Sequence, residues 1–154
     1  MPEIIAHRKN KISELAKLPR NFGVEIDIRT YKNKLILNHE PFLKGDSFED
    51  YLQNYNNGTM VVNIKEAGIE DLVIKTLLKY KIKKYFLLDV EMPYIYKSFI
   101  ENNKNIAIRY SEVEEINLCK IFKNKFNWVW IDTFTKLPIK KKDIDTLNNF
   151  KKMF

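Results

Sequence analysis

The sequence predicts an α/β fold in which helices cover a parallel β-sheet. Short apolar runs alternate with helical patterns along the whole chain. These runs are apolar on both faces, which is typical of strands buried inside a parallel sheet. Their polar residues gather at the carboxyl ends, and parallel α/β folds bind their ligands at that edge.

The first half of the chain contains three strand–helix units and one hairpin. Predicted strands lie at 4–8, 23–30 and 60–64, and predicted helices at 11–18, 47–55 and 69–81. Pro19 ends the first helix, and Asp46 is a suitable cap for the second. Between these helices, a polar turn around Asn33 leads to an extra strand at 35–40, which we expect to form a hairpin with the strand before it.

The second half repeats the strand–helix pattern three times. Predicted strands lie at 85–90, 106–110 and 128–132, and predicted helices at 93–103, 114–125 and 141–153. A complete (β/α) barrel has eight units and usually needs ~200 or more residues. We therefore predict one TIM-barrel-like domain over residues 1–154 with about six βα units and the hairpin insertion, lacking the last two units.

Such an incomplete barrel is open, is closed by a partner chain, or is a truncated form. The two edge strands would be the first and the sixth, and both are apolar. Because an unpaired apolar edge can pair with another chain, we expect homo-oligomers to form through these edges.

The composition limits the class of protein. The net charge is +7, but the lysines are spread along the chain without a zinc-finger, recognition-helix or aromatic–basic sheet pattern, so we expect no nucleic-acid partner. No apolar run reaches ~18 residues, so we expect no membrane span. The N-terminus has Glu3 where a signal peptide would be basic, and the single Cys119 reads as a buried apolar position. These features favour a cytoplasmic protein.

Two carboxylates and the only two histidines are the candidate chemical groups. Glu25 and Asp27 are two residues apart in a predicted strand, so they share one face. His7 ends the first strand, and His39 ends the hairpin. These residue types suit a metal-assisted acid–base site. The alternatives are a half-buried strand with one wet face and, for His7, a core histidine.

In order and spacing, these residues resemble the glycerophosphodiester phosphodiesterase family, within the superfamily that includes phosphatidylinositol-specific phospholipase C. Its members carry His-Arg-Gly after the first strand, Glu-x-Asp in the second, His-Asp after the hairpin and Glu-x-Lys after the third. The matching segments here are His7-Arg8, Glu25-Ile26-Asp27, His39-Glu40 and Asn63-Ile64-Lys65. The resemblance covers residues 4–65 and is weaker over 85–134.

The resemblance implies metal-dependent hydrolysis of a small phosphodiester such as a glycerophosphodiester. Glu25, Asp27 and Asn63 would hold Mg²⁺ or Ca²⁺. His7 and His39 would exchange protons with the reacting oxygens, with His7 favoured as base and His39 as acid. The residues implied in phosphate or substrate binding are Arg8, Lys65, Glu40, Asp89 and Arg109.

Three departures from the family pattern leave an alternative open. Lys9 replaces a glycine, Glu40 replaces an aspartate, and Asn63 replaces a carboxylate that binds the metal in typical members. An amide oxygen still coordinates a hard cation, but without charge. The alternative is a weak or inactive relative that binds a phosphorylated ligand. A nucleic-acid-binding domain would rest on the net charge alone.

Overall fold

The computed structural model describes residues 2–153 as a mixed α/β protein with both parallel and antiparallel strand pairs. The chain divides into two compact units between Tyr85 and Phe86. None of the described helices is long and apolar enough to cross a membrane.

The first unit is built on β2, the longest strand. Its strands are β1 (Ile5–Ala6), β2 (Gly23–Tyr31), β3 (Lys34–Leu37), β4 (Asp46–Ser47) and β5 (Met60–Ile64). Its helices are α1 (Ile12–Leu15), α2 (Phe48–Gln53) and α3 (Glu70–Lys79). β1 and β5 pair with β2 in parallel, and β3 pairs with it antiparallel, as the predicted hairpin requires. The hairpin turn places Lys32 and Asn33 at positive φ, which two-residue hairpin turns favour.

β2 and β5 are buried on both faces. Val24, Ile26 and Ile28 are fully buried on one side of β2, and Glu25 and Asp27 are buried on the other. This burial excludes the alternative of a half-buried strand with a wet face. The carboxylates of β2 therefore need partners within the protein.

The second unit carries a smaller parallel sheet. β6 (Tyr85–Leu88) contains the boundary, and β7 (Ala107–Tyr110), β8 (Trp128–Ile131) and β9 (Lys151–Met153) follow. The helices are α4 (Met92–Ile100), α5 (Asn117–Ile121), a 3₁₀ turn (Lys141–Asp143) and α6 (Ile144–Leu147). β7 and β9 both pair with β8 in parallel, and Leu87 of β6 bridges Ile106 in the same sense.

The prediction of a helix over 141–153 is wrong beyond Leu147. Asn148 and Asn149 are weak helix formers, and the edge of β8 offers backbone partners to the segment that follows. Lys151, Lys152 and Met153 accordingly form β9. The sixth predicted strand, β8, is therefore not a sheet edge.

The predicted cap of the second helix is also wrong. Asp46 belongs to β4, and its carboxylate accepts the backbone N–H of Ile12 at 2.7 Å, so it caps α1 instead. Ser47 caps α2 by accepting the N–H of Asp50. Both residues are good N-caps and both pair with β3, and α2 begins directly after Ser47.

The structure confirms the α/β class, as a mixed α/β fold, but does not confirm the predicted TIM-barrel-like arrangement. Strand pairing among residues 2–153 does not close into a ring. The structure has two compact units, and a single domain over residues 1–154 stays a prediction.

Candidate active site in the first unit

Three polar side chains lie buried on the adjacent strands β2 and β5. Glu25 is 1% exposed, Asp27 is 0% and Asn63 is 7%. Asp27 and Asn63 are register partners, so their side chains stand on the same face of the sheet. The sequence predicted these three residues as one group, and the structure brings them together.

Glu25 connects the end of β1 to β5. Its Oε1 accepts the amide of Asn63 at 3.0 Å, and its Oε2 accepts the backbone N–H of Arg8 at 2.7 Å. His7 Nε2 lies 3.7 Å from the same Oε2. Each of these donors replaces a hydrogen bond that water would make to the carboxylate, which offsets part of the cost of its burial.

Asp27 is held by a residue that the sequence did not single out. Asn10 donates its amide to Asp27 Oδ2 at 2.9 Å and accepts the backbone N–H of Asp27 at 2.8 Å. This reciprocal pair fixes the carboxylate from the loop after β1. The position of Asn10, three residues after His7 on the ligand edge, is the signal that could have identified it.

Two oxygen atoms of this group lack a hydrogen-bond donor. Among the described residues, the buried oxygens without one are Asp27 Oδ1 and Asn63 Oδ1. Lys65 Nζ lies 3.4 Å from Asp27 Oδ1, which adds a positive charge beside it. Buried oxygens without donors are costly unless something else compensates them, and hard-oxygen sets of this kind fit Mg²⁺ or Ca²⁺.

The group formed by Glu25, Asp27 and Asn63 contains two carboxylates and one amide. Across residues 2–153 there is no group of three or more His, Cys, Asp and Glu side chains suited to a metal ion. Asn63, which the resemblance implies as the third ligand, carries an amide in place of a carboxylate. Neutral oxygen ligands are common around Ca²⁺, so the donor set still fits a hard cation.

Arg8 has a left-handed backbone, with φ of 51°. That conformation is uncommon outside glycine, and strain of this kind gathers at functional sites. The backbone N–H of the same residue, Arg8, donates to Glu25. Lys9, which replaces the family's glycine, does not have a positive φ, so the substitution is compatible with the backbone.

A chain of hydrogen bonds joins Arg8, His39 and Glu40. The Arg8 guanidinium lies 3.0 Å from His39 Nε2, and His39 Nδ1 lies 2.7 Å from Glu40 Oε1. Because arginine only donates, Nε2 accepts, so the hydrogen of the neutral ring is on Nδ1 and is donated to Glu40. The hydrogen bond from His39, with the positive charges of Arg29 and Arg8, lowers the pKa of Glu40.

His7 is an exposed residue. Its side chain is 65% exposed, which excludes the alternative of a core histidine. It therefore lies open to solvent at the end of β1, with its Nε2 beside Glu25.

Asp89 and Arg109 belong to the second unit. The Arg109 guanidinium donates to Asp89 and to Asp132, and its Nε lies 3.8 Å from Glu114. Burial lowers the pKa of Arg109, but these carboxylates outweigh that effect and raise it. The predicted role of both residues in substrate binding stays a prediction.

Comparisons with known proteins return no match: no protein-family model, no curated protein and no solved structure is similar to this chain at a significant level.

Proposed function

We propose that this chain is a metal-dependent phosphodiester hydrolase, acting on a glycerophosphodiester or a related small phosphodiester. In this proposal its fold is a TIM-barrel-like relative of the glycerophosphodiester phosphodiesterases. The observation that carries it is the buried pair of oxygens on Asp27 and Asn63, in register beside Glu25. Lys65 Nζ lies 3.4 Å from Asp27 Oδ1, and His7 Nε2 lies 3.7 Å from Glu25. Arg8 links Glu25 to His39, because its backbone N–H donates to Glu25 and its guanidinium contacts the His39 ring.

Glu25, Asp27 and Asn63 would hold Mg²⁺ or Ca²⁺ through their side-chain oxygens. A bound divalent cation would neutralise negative charge on the phosphate and lower the pKa of the attacking hydroxyl. Asn10 keeps Asp27 in place for this role, since it binds both the carboxylate and the backbone of that residue.

Arg8 and Lys65 would bind the phosphate oxygens. The guanidinium is planar and donates in parallel to two oxygens, whereas the ammonium acts as a point charge. When a phosphate oxygen takes the donors of Arg8, the lone pair of His39 Nε2 is released from its present bond to that guanidinium.

The hydrogen bonds of His39 favour it as the general base, the reverse of the assignment favoured from the sequence. Its Nε2 accepts and its Nδ1–H is directed at Glu40, so the ring is oriented to take a proton. His39 would remove the proton from water or from a neighbouring substrate hydroxyl as its oxygen bonds to phosphorus. The bond to the leaving oxygen then breaks, and protonated His7 donates the proton that the alkoxide needs.

The test is turnover of bis(4-nitrophenyl) phosphate with Mg²⁺ or Ca²⁺. We expect nitrophenol release that EDTA abolishes and that falls roughly 100-fold or more in His39→Ala. Asp27→Asn should also lose activity, whereas the matched control Asp50→Asn, on the exposed face of α2, should keep it. No turnover with either metal, or full activity in His39→Ala, contradicts the proposal.

The second candidate is a binder of phosphorylated ligands without turnover. It is favoured by the amide at Asn63 and by Lys65 Nζ, which already lies 3.4 Å from Asp27 Oδ1. Asn63→Asp separates the two because it adds a negative charge with almost no change in shape. Under this candidate, the wild type binds phosphate without turnover, and metal-dependent turnover appears only in Asn63→Asp.

A further inference from the structure

The loop that carries His39 projects two apolar side chains into solvent. It runs from Asn38 to Gly45 between β3 and β4, and we refer to it as the β3–β4 loop. Phe42 is 93% exposed and has a φ of 64°, and Leu43 is 56% exposed. Phe42 is the most exposed large apolar side chain among residues 2–152.

The base of the loop is closed by hydrogen bonds and a close approach. Asn38 donates its amide to the carbonyl of Lys44 at 2.9 Å and accepts the N–H of Glu40 at 2.9 Å. Gly45 lies so close to β3 that a Cβ there would overlap the carbonyl oxygen of Leu37. The loop is therefore fixed at both ends while its tip extends outward.

The conformation of Phe42 is unfavourable in water for two reasons. A bulky residue at positive φ is strained. An exposed phenyl ring also leaves its apolar surface in water, where burial would stabilise it. A partner that buries the apolar side chains of the tip would offset both costs.

The charges next to the tip indicate what that partner is. Lys44 follows Leu43 and is exposed, Arg29 Nε donates to the carbonyl of His39 at 3.0 Å, and Arg8 contacts the His39 ring. Glu40, the one carboxylate in the loop, bonds His39, so three cations face one anion here. Two apolar side chains at a tip, with cations behind them, match the apolar interior and anionic headgroups of a phospholipid surface.

We propose that Phe42 and Leu43 insert into an anionic phospholipid surface, which brings His39 to a lipid phosphodiester. This rests on the proposed function in that it names the source of the substrate. Phe42 and His39 are three residues apart in one fixed loop, so insertion at the tip positions the histidine at headgroup depth.

The test is sedimentation of the full chain with phosphatidylcholine vesicles, with and without phosphatidylglycerol. We expect binding only to the mixed vesicles, and binding that weakens with salt. Phe42→Ala should weaken it roughly tenfold or more, and Lys44→Gln about fivefold. The matched control Leu78→Ala removes an exposed apolar side chain from α3 and should bind like the wild type.

Three results would overturn the proposal. They are no binding to the mixed vesicles, equal binding by Phe42→Ala, and a dimer in light scattering that Phe42→Ala dissociates, since the tip would then pack on a second copy. Vesicle binding needs no turnover, and bis(4-nitrophenyl) phosphate needs no vesicle. Turnover without vesicle binding therefore contradicts this inference alone, and vesicle binding without turnover contradicts the proposed function alone.

Discussion

His39 and Glu40 form a local pair whose geometry is set by chain adjacency. The carboxylate accepts Nδ1–H and so selects the tautomer that leaves Nε2 as an acceptor. Glu40 is exposed, and its hydrogen bond to His39 by itself adds little stability. Its contribution is to the orientation of the ring, which makes it a positioning residue.

Removal of Glu40 should therefore reduce turnover more than stability. We expect Glu40→Ala to lower kcat roughly tenfold or more, because the ring loses its fixed tautomer. Glu40→Gln keeps an acceptor and should recover part of the loss. The measurement is the pH–rate profile with the thermal midpoint as control; a profile unchanged in Glu40→Ala contradicts the role.

Cys119 is fully buried on α5, as the sequence predicted. Burial raises the pKa of its thiol to about 12. We expect the native thiol to react with a disulfide reagent at pH 8 roughly a thousandfold more slowly than the denatured chain. Fast labelling of the native protein would show that α5 opens readily.

At the scale of elements, one exposed carboxylate joins two loops of the second unit. Glu112 follows β7 and accepts three successive backbone N–H groups after β8, from Phe134, Thr135 and Lys136, at 2.9, 2.6 and 2.6 Å. These bonds lower the pKa of Glu112 to about 2. A nest of amides of this kind is a strong site for an anion.

This contact predicts a specific pH dependence of stability. The folded state holds Glu112 ionised down to about pH 2, while the unfolded chain takes up the proton near pH 4.5. Its stabilisation is complete above pH 4.5 and is lost as the pH falls towards 2. Thermal midpoints across this range should fall less steeply in Glu112→Gln than in the control Glu115→Gln; parallel curves contradict the assignment.

The sequence predicts the elements better than their ends. The alternation of apolar and polar residues identified β2, and the short apolar run from Met60 to Ile64 identified β5. β9 was missed because Lys151 and Lys152 carry no strand pattern, and pairing with β8 decides their state. At the site, Asn10 was missed because an asparagine in a loop is ordinary until its partner Asp27 is known.

At the scale of the whole molecule, β9 changes which strand edges are exposed. The apolar strand β8, expected to lie at an edge, is paired on both sides. The outer strand instead carries Lys151 and Lys152, and lysines on an edge strand oppose pairing with another chain. Self-association through the sixth strand is therefore no longer expected.

Removal of β9 should again allow β8 to pair with another chain. A chain that stops at Phe150 exposes the edge of β8, so we expect it to lose about 2 kcal/mol or more of unfolding free energy. It should also self-associate in light scattering as its concentration rises. The control Lys152→Ala keeps the backbone pairing and should stay close to wild type; a monomeric truncated chain would contradict the role of β9.

Formal charges around the first-unit site cancel. The charged side chains there are Glu25, Asp27, Glu40, Arg8, Arg29 and Lys65, three of each sign. A divalent cation would add two positive charges, of which a phosphodiester offsets one and a phosphomonoester nearly two at neutral pH. For the proposed hydrolase, the site with its metal ion is therefore neutral when the phosphomonoester product is bound, but not when the phosphodiester substrate is bound. If the chain is this hydrolase, we expect departure of the product to be the slow step of each cycle, which a burst of nitrophenol before the steady state would show.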